Sequence, residues 1–203
     1  MAILEEILPE DAVFGVEPRR VGPLKAEDFE TWEQEPDNPV ELVEGWLVPM
    51  SPGNLRAGTL TGDLFALLAP FGRERGWTLS LDARHRLPFP PETVVFPDLV
   101  IHCTAEVPYH PGTETVTRVP ELVIEILGRE TAARDRAPRG AKFLAYQGSG
   151  VREYFHTFPD GTEQAGFRLE NGLYRPLEAD AEGFFPSAVL GTKIRPVPAA
   201  SRA

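Results

Sequence analysis

The chain has 203 residues, 42% hydrophobic and 25% charged, with one cysteine and a net charge of −11. This composition suits a water-soluble globular domain. It excludes an intramolecular disulfide and a cysteine-rich zinc site, and no apolar run approaches the roughly 20 residues of a membrane span.

The N-terminus "MAILEEILPEDAVFG" lacks the basic segment of a secretory signal, so no membrane association and a reducing, cytoplasmic setting are expected. The acidity is uneven. Residues 1–44 carry 13 acids and three bases, a balance of −10, which leaves −1 for residues 45–203. Taken alone, the negative total argues against a phosphate-binding protein. Two basic stretches remain, 73–86 with four bases against two acids and 129–142 with five against two. Either a solvated face or a phosphate contact accounts for such stretches.

Residues 1–23, with Pro9, Pro18 and Pro23, read as an irregular arm. "LKAEDFETWEQ" (24–34) predicts a short helix, and 38–52 predicts two strands around a turn at Gly45. In 54–76, Leu55, Leu60, Leu64, Leu67 and Leu68 recur at helical spacing, with Gly58 and Gly62 read as permitting close packing. "WTLSLDARHRL" (77–87) alternates as one strand. "TVVFPDLVIHC" (93–103) and "PELVIEIL" (120–127) are continuously apolar, as in strands buried on both faces. A helix is expected over 138–147, with Pro138 in its first turn and "GSGV" (148–151) ending it. Strands follow at 152–158, 164–169, 172–176 and 189–194, and then a short tail. The order implies an α/β (α+β) layer with a mixed sheet.

Two of the apolar runs each hold an acid, Asp98 and Glu125. A buried carboxylate is costly without a partner. Pro97 marks a break in regular strand pairing just before Asp98. If the two strands are neighbours, their carboxylates converge and repel unless a proton or a cation lies between them. With oxygen ligands that cation is Mg2+ or Mn2+, and two carboxylates holding Mg2+ suggest phosphodiester hydrolysis. Such a site adds a lysine to offset charge or orient water. Leu127 fills the strand place where it would fit, so Lys142 on the following helix is the nearest candidate. The plainer alternative stays open: Asp98 accepting N–H groups at a turn, and Glu125 paired with Arg129 or Arg134.

The series "FPDLVI", "PELVIEIL" and "RDR…KFLAY…GVREYF" resembles the Uma-type restriction endonucleases, a bacterial domain-of-unknown-function family of the PD-(D/E)xK nuclease superfamily. The resemblance spans roughly 25–195. It implies one restriction-endonuclease-like domain over 24–196, with a central mixed β-sheet flanked by helices and a tail at 197–203. It assigns Asp98 and Glu125 as metal ligands, the carbonyl of Ile126 as a third, and Lys142 as the helix-borne lysine. Glu41 in "ELVEGWLV" matches a recurrent glutamate that adds charge to the site. DNA is the implied substrate and a homodimer the implied assembly. Arg134, Arg136 and Arg139, in the basic stretch beside the two acids, are expected to contact the phosphate backbone as positioning groups. The chain departs from the pattern at "GRET" (128–131), in "PGNLRAG" (52–58), which lacks the family's frequent histidine, and at Phe158.

The four histidines show no close ligand spacing. His102 shares a strand face with Asp98, with surface or core packing the simpler role. Trp32, Trp46 and Trp77 read as core or interface aromatics, and Cys103 as a small buried hydrophobe. The leading expectation is a metal-dependent DNA endonuclease. The alternatives are a catalytically inactive nuclease-fold module for DNA binding, dimerisation or regulation, and a metal-free acid–base hydrolase such as a glycosidase.

Overall fold

The turn expected at Gly45 closes a hairpin between β1 (Val40–Val43) and β2 (Trp46–Pro49). Glu44 and Gly45 both adopt positive φ, 54° and 82°, as the tightest hairpin turns require. A side chain at Gly45 would also meet the Leu24 carbonyl at 3.1 Å. This hairpin belongs to a four-stranded sheet in the order β2-β1-β5-β4, with β4 at His85–Leu87 and β5 at Thr93–Val95. Against it packs α1 (Ala26–Glu30), which places Ala26 and Phe29 on Leu42 and Val94. The helix is shorter than the 24–34 span expected.

The second sheet has six strands in the order β10-β9-β8-β7-β6-β3. These are β3 (Thr78–Ser80), β6 (Leu99–His102), β7 (Leu122–Ile126), β8 (Glu153–Thr157), β9 (Gln164–Glu170) and β10 (Leu173–Leu177). The pair β7/β8 is parallel and every other pairing is antiparallel. The sheet is therefore mixed, and α3 (Ala141–Ser149) lies in the β7–β8 connection, as a parallel pair requires of a crossover. A small hairpin, β11 (Phe185–Ser187) with β12 (Thr192–Ile194), completes the elements.

The structure, a computed structural model, describes residues 23–34, 39–50, 54–128, 132 and 140–197. The arm, Arg129, Arg134, Arg136, Pro138, Arg139 and the end of the tail lie outside them. Among the described residues no helix is long and apolar enough to cross a membrane.

Alternation along the large sheet separates two cores. On one face Leu99, Ile101, Leu122, Ile124 and Phe155 meet Leu60, Leu64 and Leu68 of α2 (Leu55–Glu74). On the other, Val100, Val123 and Tyr154 meet Phe143 and Tyr146 of α3 together with Val43, Leu87 and Val95 of the small sheet. Fully burying one such aliphatic or aromatic side chain contributes about 1.5–3 kcal/mol. Asn54 caps α2 by accepting the Ala57 N–H at 2.9 Å. Gly150, at φ 88°, ends α3 in the left-handed conformation.

Several expectations are corrected. "WTLSLDARHRL" is two strands, β3 and β4, in different sheets, because Asp82 at φ 47° breaks it. "TVVFPDLVIHC" is likewise β5 and β6, and the chain changes sheets through Phe96-Pro97-Asp98. The helix expected from Pro138 starts after Gly140. Gly58 and Gly62 show no close packing among the described residues, where a Cβ on either would meet nothing within 4 Å. Of the tryptophans, Trp77 packs edge-on to Phe71 against the core, whereas Trp32 and Trp46 lie outside it at 36% and 43% exposure. The aromatics Phe29, Tyr146, Tyr154 and Phe155 are fully buried.

Candidate active site

The chain crosses between the two sheets twice at one place. Residues 81–84 lead from β3 to β4, and residues 96–98 lead from β5 back to β6. The crossings are tied together where the Asp82 N–H donates to the Pro97 carbonyl at 3.1 Å. Pro97 has no N–H to leave unpaired, so the strand breaks there without loss of a donor. The break frees Asp98 from the ladder while Leu99 enters it opposite Ile124.

Antiparallel register continues Leu99↔Ile124 to Asp98 opposite Glu125. Asp98 Oδ2 accepts the Ile126 N–H at 2.6 Å, and the Glu125 carboxyl lies near enough to act on the Asp98 carboxyl. Burial pushes the Asp98 carboxyl up to about 6, against the pull of the Lys142 charge and the Ile126 N–H. Asp98 nonetheless keeps part of its surface open, whereas Glu125 is 4% exposed.

Lys142 comes from the first turn of α3, and its side chain runs between the sheets. Its Nζ lies 2.8 Å from Glu125 Oε1 and 2.9 Å from Glu41 Oε1. Lys142 and Glu41 are 3% and 0% exposed. Glu41 Oε1 also accepts the Phe96 N–H at 2.8 Å, which ties the first hairpin to the second crossing. One helical turn beyond Lys142, the Tyr146 hydroxyl donates to Glu125 Oε1 at 2.6 Å. Burial first, then the charges of Glu125 and Glu41, holds this phenol well above its usual range, so it stays a donor. His156 stands beside Glu125 in the β7–β8 register, its Nε2 3.7 Å from Glu163.

The structure thus brings together Asp98, Glu125, Lys142, Glu41 and the backbone of Ile126. Glu125 pairs with Lys142; Arg129 and Arg134, weighed from sequence as its partners, lie outside the described residues, as do Arg136 and Arg139. Of the other basic stretch, Arg86 contacts Glu27 at 2.7 Å and Glu30 at 3.6 Å, Arg84 donates to the Glu30 carbonyl, and Arg75 stacks on Phe71. These three arginines therefore answer groups of their own chain.

Sequence reasoning missed two features. Asp82 is exposed by area, yet its carboxyl lies within electrostatic reach of Lys142 and Asp98, and burial raises it against the Lys142 charge. Only the position of Asp82 in a bend across from Pro97 marks it, and the alternating pattern hid that bend. The second is His85 Nε2, 3.2 Å from His102 Nε2 in the core. The ring centroids are 5.4 Å apart with planes 9° from parallel. The rings therefore face each other edge to edge through an N–H···N hydrogen bond, which leaves no room for a metal between them.

The donor set at Asp98 and Glu125 is oxygen only, and Mg2+ is commonly held by one or two carboxylates with several waters retained. Two carboxyl groups set opposite each other, one of them partly open to solvent, fit such a hard cation. Among the described residues, no three His, Cys, Asp or Glu side chains form a ready ligand group.

A family model described as "Putative restriction endonuclease", Uma2, matches residues 26–195. Among solved structures, the chain is similar to a crystal structure at 1.96 Å of "a putative nuclease belonging to DUF820" from Anabaena variabilis ATCC 29413. The TM-score is 0.68 at 14% identity, over 86% of this chain and 96% of that one. At that identity the likeness shows the fold, a nuclease-like mixed α/β architecture. No curated protein matches.

Proposed function

The chain belongs to the Uma2 family of restriction endonucleases, and on that premise we propose that it hydrolyses DNA phosphodiester bonds with a divalent cation held at Asp98 and Glu125. The observation that carries this reading is the register that sets Asp98 opposite Glu125 at a strand break, with a buried lysine 2.8 Å from the glutamate. No packing need explains two acids and a lysine between apolar sheets, since ion pairs so buried are seldom worth their desolvation in stability alone.

Asp98, Glu125 and the Ile126 carbonyl would hold Mg2+ or Mn2+, which polarises a phosphoryl oxygen and lowers the pKa of bound water. The chain supplies the rest. Lys142 would bring a positive charge beside the place where negative charge grows on the phosphoryl group. Tyr146 fixes the orientation of Glu125 by its hydroxyl. The Ile126 N–H orients Asp98 in the same way through Oδ2.

Plasmid nicking with Mg2+ or Mn2+ tests the reading. The expected result is metal-dependent cleavage by the wild type and none by Asp98→Asn or Glu125→Gln, with loss of Mn2+ binding in both by calorimetry. Equal cleavage by all three proteins would overturn it.

A further inference from the structure

We infer that Lys142 is the resident cation of the site: its ammonium holds Glu125 until a divalent cation takes that carboxylate, and Glu41 is the lysine's anchor, not a ligand of the cation. This rests on reading Asp98 and Glu125 as a metal site.

Three acids, Glu41, Asp98 and Glu125, surround one ammonium within the seam between the sheets. Fully ionised, they leave an excess of two negative charges, which a low-dielectric site does not tolerate. That excess, with the lysine already counted, equals the charge of one divalent cation. A divalent cation at Asp98 and Glu125 would supply that charge. It also meets Glu125 Oε1 already engaged by Lys142 at 2.8 Å and by Tyr146 at 2.6 Å. Two cations on one carboxylate oxygen repel, so the lysine must yield.

Glu41 gives it a place to go. Its Oε1 is pinned by the Phe96 N–H at 2.8 Å and points at Lys142 Nζ at 2.9 Å. An ammonium on a flexible four-carbon stem, rooted in the first turn of α3, can turn fully onto Glu41 without any shift of the helix. Glu41 comes from the opposite sheet, on β1, whereas both proposed ligands lie on β6 and β7 or at their ends. In this role Glu41 is a positioning residue that acts on the metal only through Lys142.

The two assignments make a specific prediction of non-additivity. If Glu41 only anchors the lysine, its effect on metal binding disappears with the lysine. Mn2+ alone is titrated calorimetrically into the full chain as wild type, Glu41→Gln, Lys142→Met and the double variant, with melting in EDTA to confirm that each is folded. Lys142→Met is expected to bind about tenfold more tightly than wild type and Glu41→Gln about tenfold more weakly, on the usual scale of coupling between two sites. The double variant, which removes the lysine and the charge of its anchor together, is expected to match Lys142→Met to within about threefold, because no lysine is left to anchor. An equal loss from Glu41→Gln with and without the lysine would make Glu41 a ligand and overturn the proposal. So would a Lys142→Met protein that binds no more tightly than wild type. If Lys142→Met does not fold, the double variant is compared with wild type directly and must bind more tightly. Binding by none of the proteins overturns this inference together with the metal reading. Binding by wild type that Asp98→Asn abolishes, with additive effects in the cycle, overturns this inference alone.

Discussion

Asp98 does with its side chain what a strand residue does with its backbone: its Oδ2 accepts the Ile126 N–H at 2.6 Å, just past the last β6–β7 pair. The Pro97 carbonyl meanwhile turns to the Asp82 N–H. One carboxylate therefore closes the end of the ladder and lines the candidate site. Stability and function make different demands on it, and substitutions separate the two.

Asp98→Ala leaves the Ile126 N–H without its acceptor and is expected to cost about 1–3 kcal/mol. Asp98→Asn keeps an acceptor and removes the charge. Burial raises this carboxyl from 3.8 to about 6, so between those values the native state binds more protons than the unfolded chain. The ionised group therefore opposes folding as pH rises through this window, by up to about 3 kcal/mol above pH 6. Without metal, Asp98→Asn is expected to be more stable than wild type at pH 8 and to lose that advantage near pH 4. Urea unfolding in EDTA at the two pH values measures this. An asparagine variant no more stable than the alanine one would contradict the assignment.

The His85–His102 contact predicts an acid-sensitive term of opposite sign. Burial, and then the neighbouring His85, depresses His102 from 6.5 to about 4. The charged groups that face it are Glu121 and Arg118, which pair with each other at 2.7 Å. The unfolded chain takes up the proton first as pH falls, so this stability is present above 6.5 and is lost progressively toward 4. Roughly 2 kcal/mol is expected after allowance for screening. Asp98 runs the other way in the same window, so the term is read in an Asp98→Asn background. A pH profile unchanged by His102→Asn would rule it out.

The break at Pro97 was legible because proline removes a donor that a paired strand needs, and the break at Asp82 was not. "WTLSLDARHRL" keeps its period of two across the bend, and alternation encodes which side a residue faces but not which sheet it joins. The acids on β6 and β7 and the lysine on α3 were readable from local pattern and order. Their assembly was not, nor was the His85–His102 pair, because contact across 17 or more residues depends on how the sheets stack. The exposure of the tryptophans was hidden for the same reason: residue type suggests burial, and tertiary packing decides it.

Tyr146→Phe deletes only the hydroxyl that donates to Glu125. A hydrogen bond to a charged group is worth about 1.5–3 kcal/mol, and the ring's packing on Tyr154 is retained. The expected result is a loss of that size in urea unfolding, and also slower nicking, because Glu125 loses one of its two named restraints. Full stability with unchanged cleavage would show that Lys142 alone orients Glu125.

The glycines give a prediction that bears on the outer face of α2. Gly166 on β9 has the Phe155 ring where a Cβ would stand, at 2.6 Å, and that ring is fully buried. Gly166→Ala must displace it and is expected to cost about 1–3 kcal/mol. Gly58 and Gly62 sit in α2 with nothing within 4 Å of a built Cβ. Alanine there adds helix propensity without a clash, so each substitution is expected to stabilise by about 0.5–1 kcal/mol. Thermal unfolding of Gly58→Ala/Gly62→Ala against Gly166→Ala should move Tm in opposite directions. A fall in Tm for the α2 pair would mean that this face, which also exposes Leu55 and Leu67 at 87% and 67%, is covered in solution by something that needs the glycines' lack of side chain.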